Sequence, residues 1–226
     1  MSYNVDKNQL HIIAMTSMVL GSVAGTGLIL VTTEYSRLGL YLLFIAAYHL
    51  LEFINTYTYQ RETVTESSFL LYGNVGSKEY LLMQLLSIWE YFFIKSRWHI
   101  WPYMKHTIFI GMVMATIGLY IRHRAMKVCG NGFSHYIQTT SRQTHNLVTH
   151  DIYGWCRHPS YLGFYLWAIG LQLCLSIPLS LVLTTVIITW FFRTRVAFEE
   201  WFLVNRLFGQ EYIDYSNKVG TLIPFV

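Results

Sequence analysis

Charge is scarce in this sequence. Asp, Glu, Lys and Arg make up 12% of its 226 residues, about half of the ~25% usual for soluble globular domains, which argues against an ordinary soluble enzyme. Cysteine is scarce too: Cys129, Cys156 and Cys174 are odd in number and form no CxxC pair, so neither a disulfide framework nor a zinc ribbon is implied. His135, His145, His150 and His158 match no common ligand spacing with Cys129 or Cys156, and no metal is assigned. No GxGxxG follows a strand pattern, which sets aside a Rossmann nucleotide site, and no Ser-His-Asp signature accompanies Ser160, which sets aside hydrolysis. The net charge of +4 contains no block of like charges, so nucleic acid is a poor partner, whereas anionic lipid headgroups remain open. What the chain does have is 54% apolar residues, 17% aromatics and a mean hydropathy of +0.36. That is more apolar surface than a core of this size can bury, and the excess must face lipid. The fold class expected is all-α: a polytopic integral membrane protein with about six transmembrane helices.

The first span is expected over Asn8 to Thr33, which contains no Asp, Glu, Lys or Arg until Glu34 and is long enough for a 30 Å hydrocarbon layer. A cleaved signal peptide is the weaker reading, because only Lys7 precedes the run and no Ala-x-Ala site follows. Gly21 and Gly25, four apart with Gly27 beyond, have the spacing that lets two helix backbones approach closely. The second span, about Leu38 to Tyr57, carries His49 and Glu52 on one helical face pointing inward. A functional site and a simple tie between helices are both open readings of that pair. Residues 60 to 78 read as a loop. The third span, Tyr80 to Ile94, is short and contains Glu90, and the fourth runs from Tyr103 to Ile121, with Trp98, Trp101 and Tyr103 suited to the interface. A polar connector follows from Arg122 to Arg157. The 35 residues from His158 to Phe192 again lack Asp, Glu, Lys and Arg and are divided by Pro178, which predicts a tight hairpin of Ser160 to Ile177 and Leu179 to about Glu199. Nine of the 16 basic residues lie from Arg122 onward, placing the connector and tail on the cytosolic side, although Lys95, Arg97 and Lys105 then fall opposite.

The densest run of unusual residues is Arg157, His158, Pro159, Ser160, Tyr161 and Gly163, where the connector enters the hairpin. Proline suits a first helical turn, whose free N–H groups can meet a carboxylate or a hydroxyl-rich ligand. An interfacial cap, with Arg157 on headgroups and Tyr161 as an anchor, is the plainer reading. The hairpin's other end supplies Arg193, Arg195, Glu199 and Glu200 on the same side of the membrane. Arg195 and Glu199, four apart on a helix, could offer partners to an anionic substrate and a polar cofactor, or form an ordinary surface pair.

The motifs Phe133-Ser134-His135, His145-Asn146-Leu147-Val148, Tyr153-Gly154-Trp155 and Arg157-His158-Pro159-Ser160-Tyr161-Leu162-Gly163 are followed by Glu199-Glu200, Glu211-Tyr212 and Ile223-Pro224-Phe225. In this combination the chain resembles the isoprenylcysteine carboxyl methyltransferases, close to their fungal members; Glu66 to Leu71 and Met15-Thr16-Ser17 look similar as well. The resemblance implies a methyl transfer from S-adenosylmethionine to the C-terminal carboxylate of a farnesyl- or geranylgeranyl-cysteine in a processed CaaX protein. It implies cofactor contacts from Gln138, His145, Asn146, Leu147, Val148, Tyr153, His158, Pro159, Ser160, Tyr161 and Glu199, and a substrate-carboxylate contact from Arg195. Glu199 thereby counts with Arg195 as a catalytic candidate. It also implies an endoplasmic reticulum membrane setting, with the site facing the cytosol and a lateral opening whose walls come from the hairpin and the second to fourth spans. Residues 1–121 would then be N-terminal membrane helices, and 122–226 the catalytic region of one integrated membrane domain. Two departures stand out: Asp151 where relatives often carry Gly, and Val196 to Phe198 in place of a more charged run. A phospholipid N-methyltransferase and a non-enzymatic lipid transporter or scaffold are the alternatives.

Overall fold

The computed structural model describes residues 9–71, 78–97, 105–135 and 146–226. Six long helices dominate: α1 (Leu10–Val31), α2 (Ser36–Tyr59), α3 (Lys78–Arg97), α4 (Lys105–Cys129), α5 (Pro159–Leu175) and α6 (Pro178–Phe202). Helix α6 runs on through a π-helical turn, Leu203–Phe208, into the short α7 (Gln210–Ser216). Three of these stretches, α1, α2 and Pro178–Phe208, are long and apolar enough to cross a membrane by length and composition, while α5 is apolar but only 17 residues long. Together they form a multi-pass membrane protein.

Helix α1 lies at the edge, burying only Thr16, Leu20 and Gly27. The close approach expected of Gly21 and Gly25 is made instead by Gly27: a Cβ there would stand 2.9 Å from the Gly39 carbonyl of α2, whereas Gly21 and Gly25 face open space. In the turn between α1 and α2, Thr32 and Thr33 donate to the Ile29 and Leu30 carbonyls, both at 2.8 Å. Those carbonyls belong to the last turn of α1, where the ordinary i+4 helical donors run out.

The tightest seam joins α4 to α5. A Cβ on Gly118 would sit 2.5 Å from the Gly163 carbonyl, one on Gly163 2.6 Å from the Gly118 carbonyl, and one on Gly170 2.7 Å from the Gly111 carbonyl. The two backbones therefore touch, a packing mode that substitutes dispersion for the hydrophobic drive missing in lipid. At the edge of that seam the Trp167 side chain stacks on Tyr48 of α2 at 4.2 Å.

Among the described residues, the buried charges Arg37, Glu52, Glu90 and Arg122 are each partnered. Glu90 of α3 accepts the backbone N–H groups of Leu179 (2.9 Å) and Ser180 (2.7 Å), capping α6 directly after Pro178. Arg37 of α2 donates to Ser176 Oγ in the turn between α5 and α6, and Thr107 of α4 meets the same hydroxyl at 2.5 Å. His49 and Glu52 are both buried on one face of α2, but in separate pairs. His49 Nδ1 lies 2.7 Å from the Phe69 carbonyl and Nε2 2.9 Å from the Tyr80 hydroxyl, so a neutral ring protonated on Nδ1 satisfies both. Glu52 instead takes a bidentate pair from Arg122 of α4.

Two boundaries differ from the sequence expectation for that reason. Arg122 is not a stop at the membrane surface but a buried partner of Glu52, so α4 continues to Cys129 and the connector begins later. The loop after α2 is not wholly aqueous either: Phe69 is fully buried, stacked on Phe53 at 4.3 Å and held by His49. His49 lies ten residues before the end of α2, about 15 Å along its axis, so the segment folds back to that depth. Helix α3 is also longer than expected, at 20 residues.

Candidate functional site

His158 is the residue before α5, and Pro159 opens the helix where its missing N–H costs nothing. This fixes His158, Ser160 and Tyr161 within a single turn, and the rings of His158 and Tyr161 lie parallel, 5.4 Å apart. Helix α6 returns alongside and brings Arg195, Glu199 and Glu200 to the same level. The adjacent carboxylates then do different things. Glu200 accepts from Arg157 Nε (2.8 Å) and the Tyr212 hydroxyl (3.0 Å), and lies 3.0 Å from His158 Nε2. Arg157 continues to the carbonyls of Val219 (2.6 Å) and Ser216 (3.1 Å). It clamps the tail and is not committed to headgroups.

Glu199 faces the other way, into a cavity of about 980 Å³, and accepts the Tyr161 hydroxyl proton at 2.5 Å. The ordinary surface pair open to Arg195 and Glu199 as the plainer reading is not formed, and a bridge takes its place, because Arg195 Nε donates to that same Tyr161 oxygen at 2.8 Å. Arg195 Nη2 donates to the His135 carbonyl at 2.7 Å, which leaves Nη1 with no hydrogen-bond acceptor among the described residues. An Arg edge left open in a cavity suits a carboxylate, which it can meet with two parallel bonds.

Asn146, Leu147, Val148, Tyr153, His158, Pro159, Ser160, Tyr161, Arg195 and Glu199 all line this one cavity. Gln138 and His145 lie outside the described residues. Tyr153 is fixed from both sides, its hydroxyl donating to the Ala125 carbonyl (3.3 Å) and its own carbonyl accepting from the Tyr215 hydroxyl (2.6 Å). Burial pushes its phenol well above the ordinary range. His135, on the connector, keeps 14% of its side chain exposed, and desolvation drives its imidazole down to about 4 despite the opposing pull of Glu52, with Arg122 and Arg195 adding to the fall. It is neutral at physiological pH.

The cavity has two parts. Near the connector it is walled by polar and aromatic groups, and deeper it becomes an apolar chamber between Tyr48 of α2, Met83 of α3, Phe164 and Leu171 of α5 and Ile187 and Ile188 of α6. Leu82 of α3 and Trp190 of α6 line it while remaining 66% and 68% exposed, which puts an opening toward lipid between those helices. Helix α4 was expected in this wall but contributes only Arg122 and Cys129, because its membrane-embedded length is sealed against the back of α5.

A positively charged methyl donor fits the polar half: the Glu199 carboxylate supplies counter-charge and Tyr153, Tyr161, Tyr212 and Tyr215 supply aromatic walls. Asp151 has a positive φ of 57°, which explains why glycine suits that position. Here the side chain compensates by pairing with Arg124 and accepting the Ile152 N–H at 2.7 Å, and these bonds hold its carboxyl below the usual range. Sequence reasoning grouped Glu52 with His49 and Glu200 with Glu199, and did not identify Arg122 and Tyr212 as their partners. The available signal was a carboxylate inside an apolar span, which demands a buried cation.

Known proteins resemble this chain in sequence and in fold. The profile of the "Isoprenylcysteine carboxyl methyltransferase (ICMT) family" matches residues 100–205. The protein-S-isoprenylcysteine O-methyltransferase of Saccharomyces cerevisiae is 36% identical across 99% of this chain and 95% of its own, and that of Mus musculus 34% across 95% and 75%. The solved structure of the eukaryotic intramembrane Ras methyltransferase ICMT superposes with a TM-score of 0.87 at 32% identity, covering 95% of this chain and 77% of that one.

Proposed function

This chain belongs to the isoprenylcysteine carboxyl methyltransferase family, and from that premise we propose that it methylates the C-terminal carboxylate of prenylated cysteine in processed CaaX proteins, forming a methyl ester. The observation that carries the reading is the continuity of one cavity: a polar half beside Glu199 opens directly into a lipid-facing chamber, with Arg195 where they meet. S-adenosylmethionine is the donor we assign to the polar half, where it would supply an already activated methyl group. Asn146, Leu147, Val148, Tyr153, His158 to Tyr161 and Glu199, with Gln138 and His145 from the connector, are the residues proposed to hold it.

The chain's own part is placement. A terminal carboxylate, with a reference pKa of about 3.5, is ionised at neutral pH and needs no general base. Arg195 orients its oxygens through the open edge, and Tyr161 fixes the guanidinium so that this edge faces the cavity. The farnesyl or geranylgeranyl tail occupies the chamber between α3, α5 and α6, which lets the carboxylate meet a polar donor without extracting the lipid from the membrane. Residues 1–121 then supply part of the chamber wall and 122–226 most of the donor pocket, facing the cytosol of an endoplasmic reticulum membrane.

The test incubates purified protein with methyl-labelled S-adenosylmethionine and farnesylcysteine acid, and measures base-labile methyl ester beside an unprenylated control. Ester formed only from the prenylated acid is the expected result. Label transferred instead to a phospholipid amine would replace this function with N-methylation, and no donor binding at all would favour a non-enzymatic lipid-handling protein.

A further inference from the structure

Below the catalytic level one group of ionisable residues is left over. Glu52 and Arg122 are almost wholly buried. Their arrangement reaches toward the site. Arg122 spends Nε and Nη2 on the two Glu52 oxygens, which turns Nη1 onto Ser160, at 2.8 Å from its hydroxyl and 3.2 Å from its carbonyl. Ser160 stands between Pro159 and Tyr161 in the first turn of α5. The other end of Glu52 looks at the connector: its Oε2 lies 3.8 Å from His135 Nε2, which has no hydrogen-bond partner among the described residues. His135 is also the residue whose carbonyl holds Arg195.

We propose that Glu52 is a positioning residue for methyl transfer: through Arg122 it sets the first turn of α5, and with it Tyr161, one of the two anchors that aim Arg195. The proposal rests on the function assigned above. Arg195 is anchored by the Tyr161 hydroxyl and the His135 carbonyl, which belong to different segments; the Glu52–Arg122 pair bonds Ser160, the residue directly before Tyr161, and Glu52 approaches the His135 ring to 3.8 Å without bonding it. A displacement of about 1 Å at such a site is enough to lower turnover on the order of 100-fold.

Removing one partner alone would strand a buried charge and confuse misfolding with mispositioning, so the decisive variant removes both. Glu52→Leu combined with Arg122→Met replaces the pair with apolar side chains of similar reach. The expected outcome is thermal stability close to the parent's, retained binding of labelled S-adenosylmethionine, and a kcat for farnesylcysteine at least about tenfold lower. Recovery of stability together with parental kcat would overturn the proposal and leave the pair as a helix tie only. Glu52→Asp, which keeps the charge but shortens its reach, provides the second arm if the double variant does not fold. It should also lose about tenfold in kcat, and parental kcat there would overturn the proposal equally. The parent protein is assayed in parallel; a parent that makes no prenylcysteine ester would count against the assigned function and not against the role of Glu52.

Discussion

The two sides of α5 are built on opposite principles. Its back is pressed against α4 so closely that Gly111, Gly118, Gly163 and Gly170 leave no room for a Cβ, while its front looks into a large cavity open to lipid beside α3 and α6. The contrast shows how a membrane enzyme can be rigid and accessible at once. The helix that His158 leads into and that carries Ser160 and Tyr161 is fixed by backbone contact on the side away from the cavity, so the chamber side can stay underpacked. The methyl transfer proposed here would depend on positioning more than on acid–base chemistry, and positioning is what a locked helix supplies.

The largest effect should come from breaking the seam. Gly118→Val places a branched side chain on the Gly163 backbone and is expected to destabilise by more than about 3 kcal/mol, or to abolish folded protein in detergent. Leu82→Ala, on the open side, should change stability by less than about 1 kcal/mol. Thermal unfolding of the two variants side by side measures the difference, and equal losses would mean that the two faces are not distinct.

Next in size is Arg195→Lys, which keeps the charge but loses the planar fork; kcat/KM should fall about 100-fold with unchanged thermal stability. Tyr161→Phe deletes the hydroxyl bridging Arg195 and Glu199 but keeps the ring stacked on His158 and Phe192, so a loss of about tenfold in kcat is expected. Steady-state kinetics with farnesylcysteine distinguish these from folding defects.

The smallest effect concerns pH. His135 has a folded value of about 4, below its reference of about 6.5, so between these values the unfolded chain binds a proton that the folded chain does not. Its contribution therefore lowers stability as pH falls from about 6.5 toward 4 and is absent above that window. His135→Asn should show a smaller drop in Tm between pH 7 and pH 5 than the parent, and an identical drop would show that the connector histidine is not buried neutral.

Much of this was legible in the sequence, for a physical reason. Long apolar runs and a proline-divided hairpin are dictated by bilayer thickness and backbone chemistry, so α1, α2, α5 and α6 emerge directly. The His158-Pro159-Ser160-Tyr161 turn is likewise local, because proline at a helix start leaves one arrangement for its neighbours. Arg122 was misread because a charge at the end of an apolar run looks the same whether it meets water or a buried carboxylate 70 residues away. Partner choice across helices is tertiary information. The same holds for Tyr161, whose role as a bridge depends on the register of α5 against α6, and for the return of Phe69 into the membrane, which needs His49 to receive its carbonyl.

The most direct test of the lipid-facing site is to map where the prenyl chain lies. A farnesylcysteine acid with a photoreactive tail, crosslinked in the presence of S-adenosylmethionine and analysed by peptide mass spectrometry, should label Met83, Leu171, Ile187 or Ile188, with labelling suppressed by excess unmodified substrate. Competable labelling confined to the connector and α7 would contradict a chamber reached from the membrane between α3 and α6.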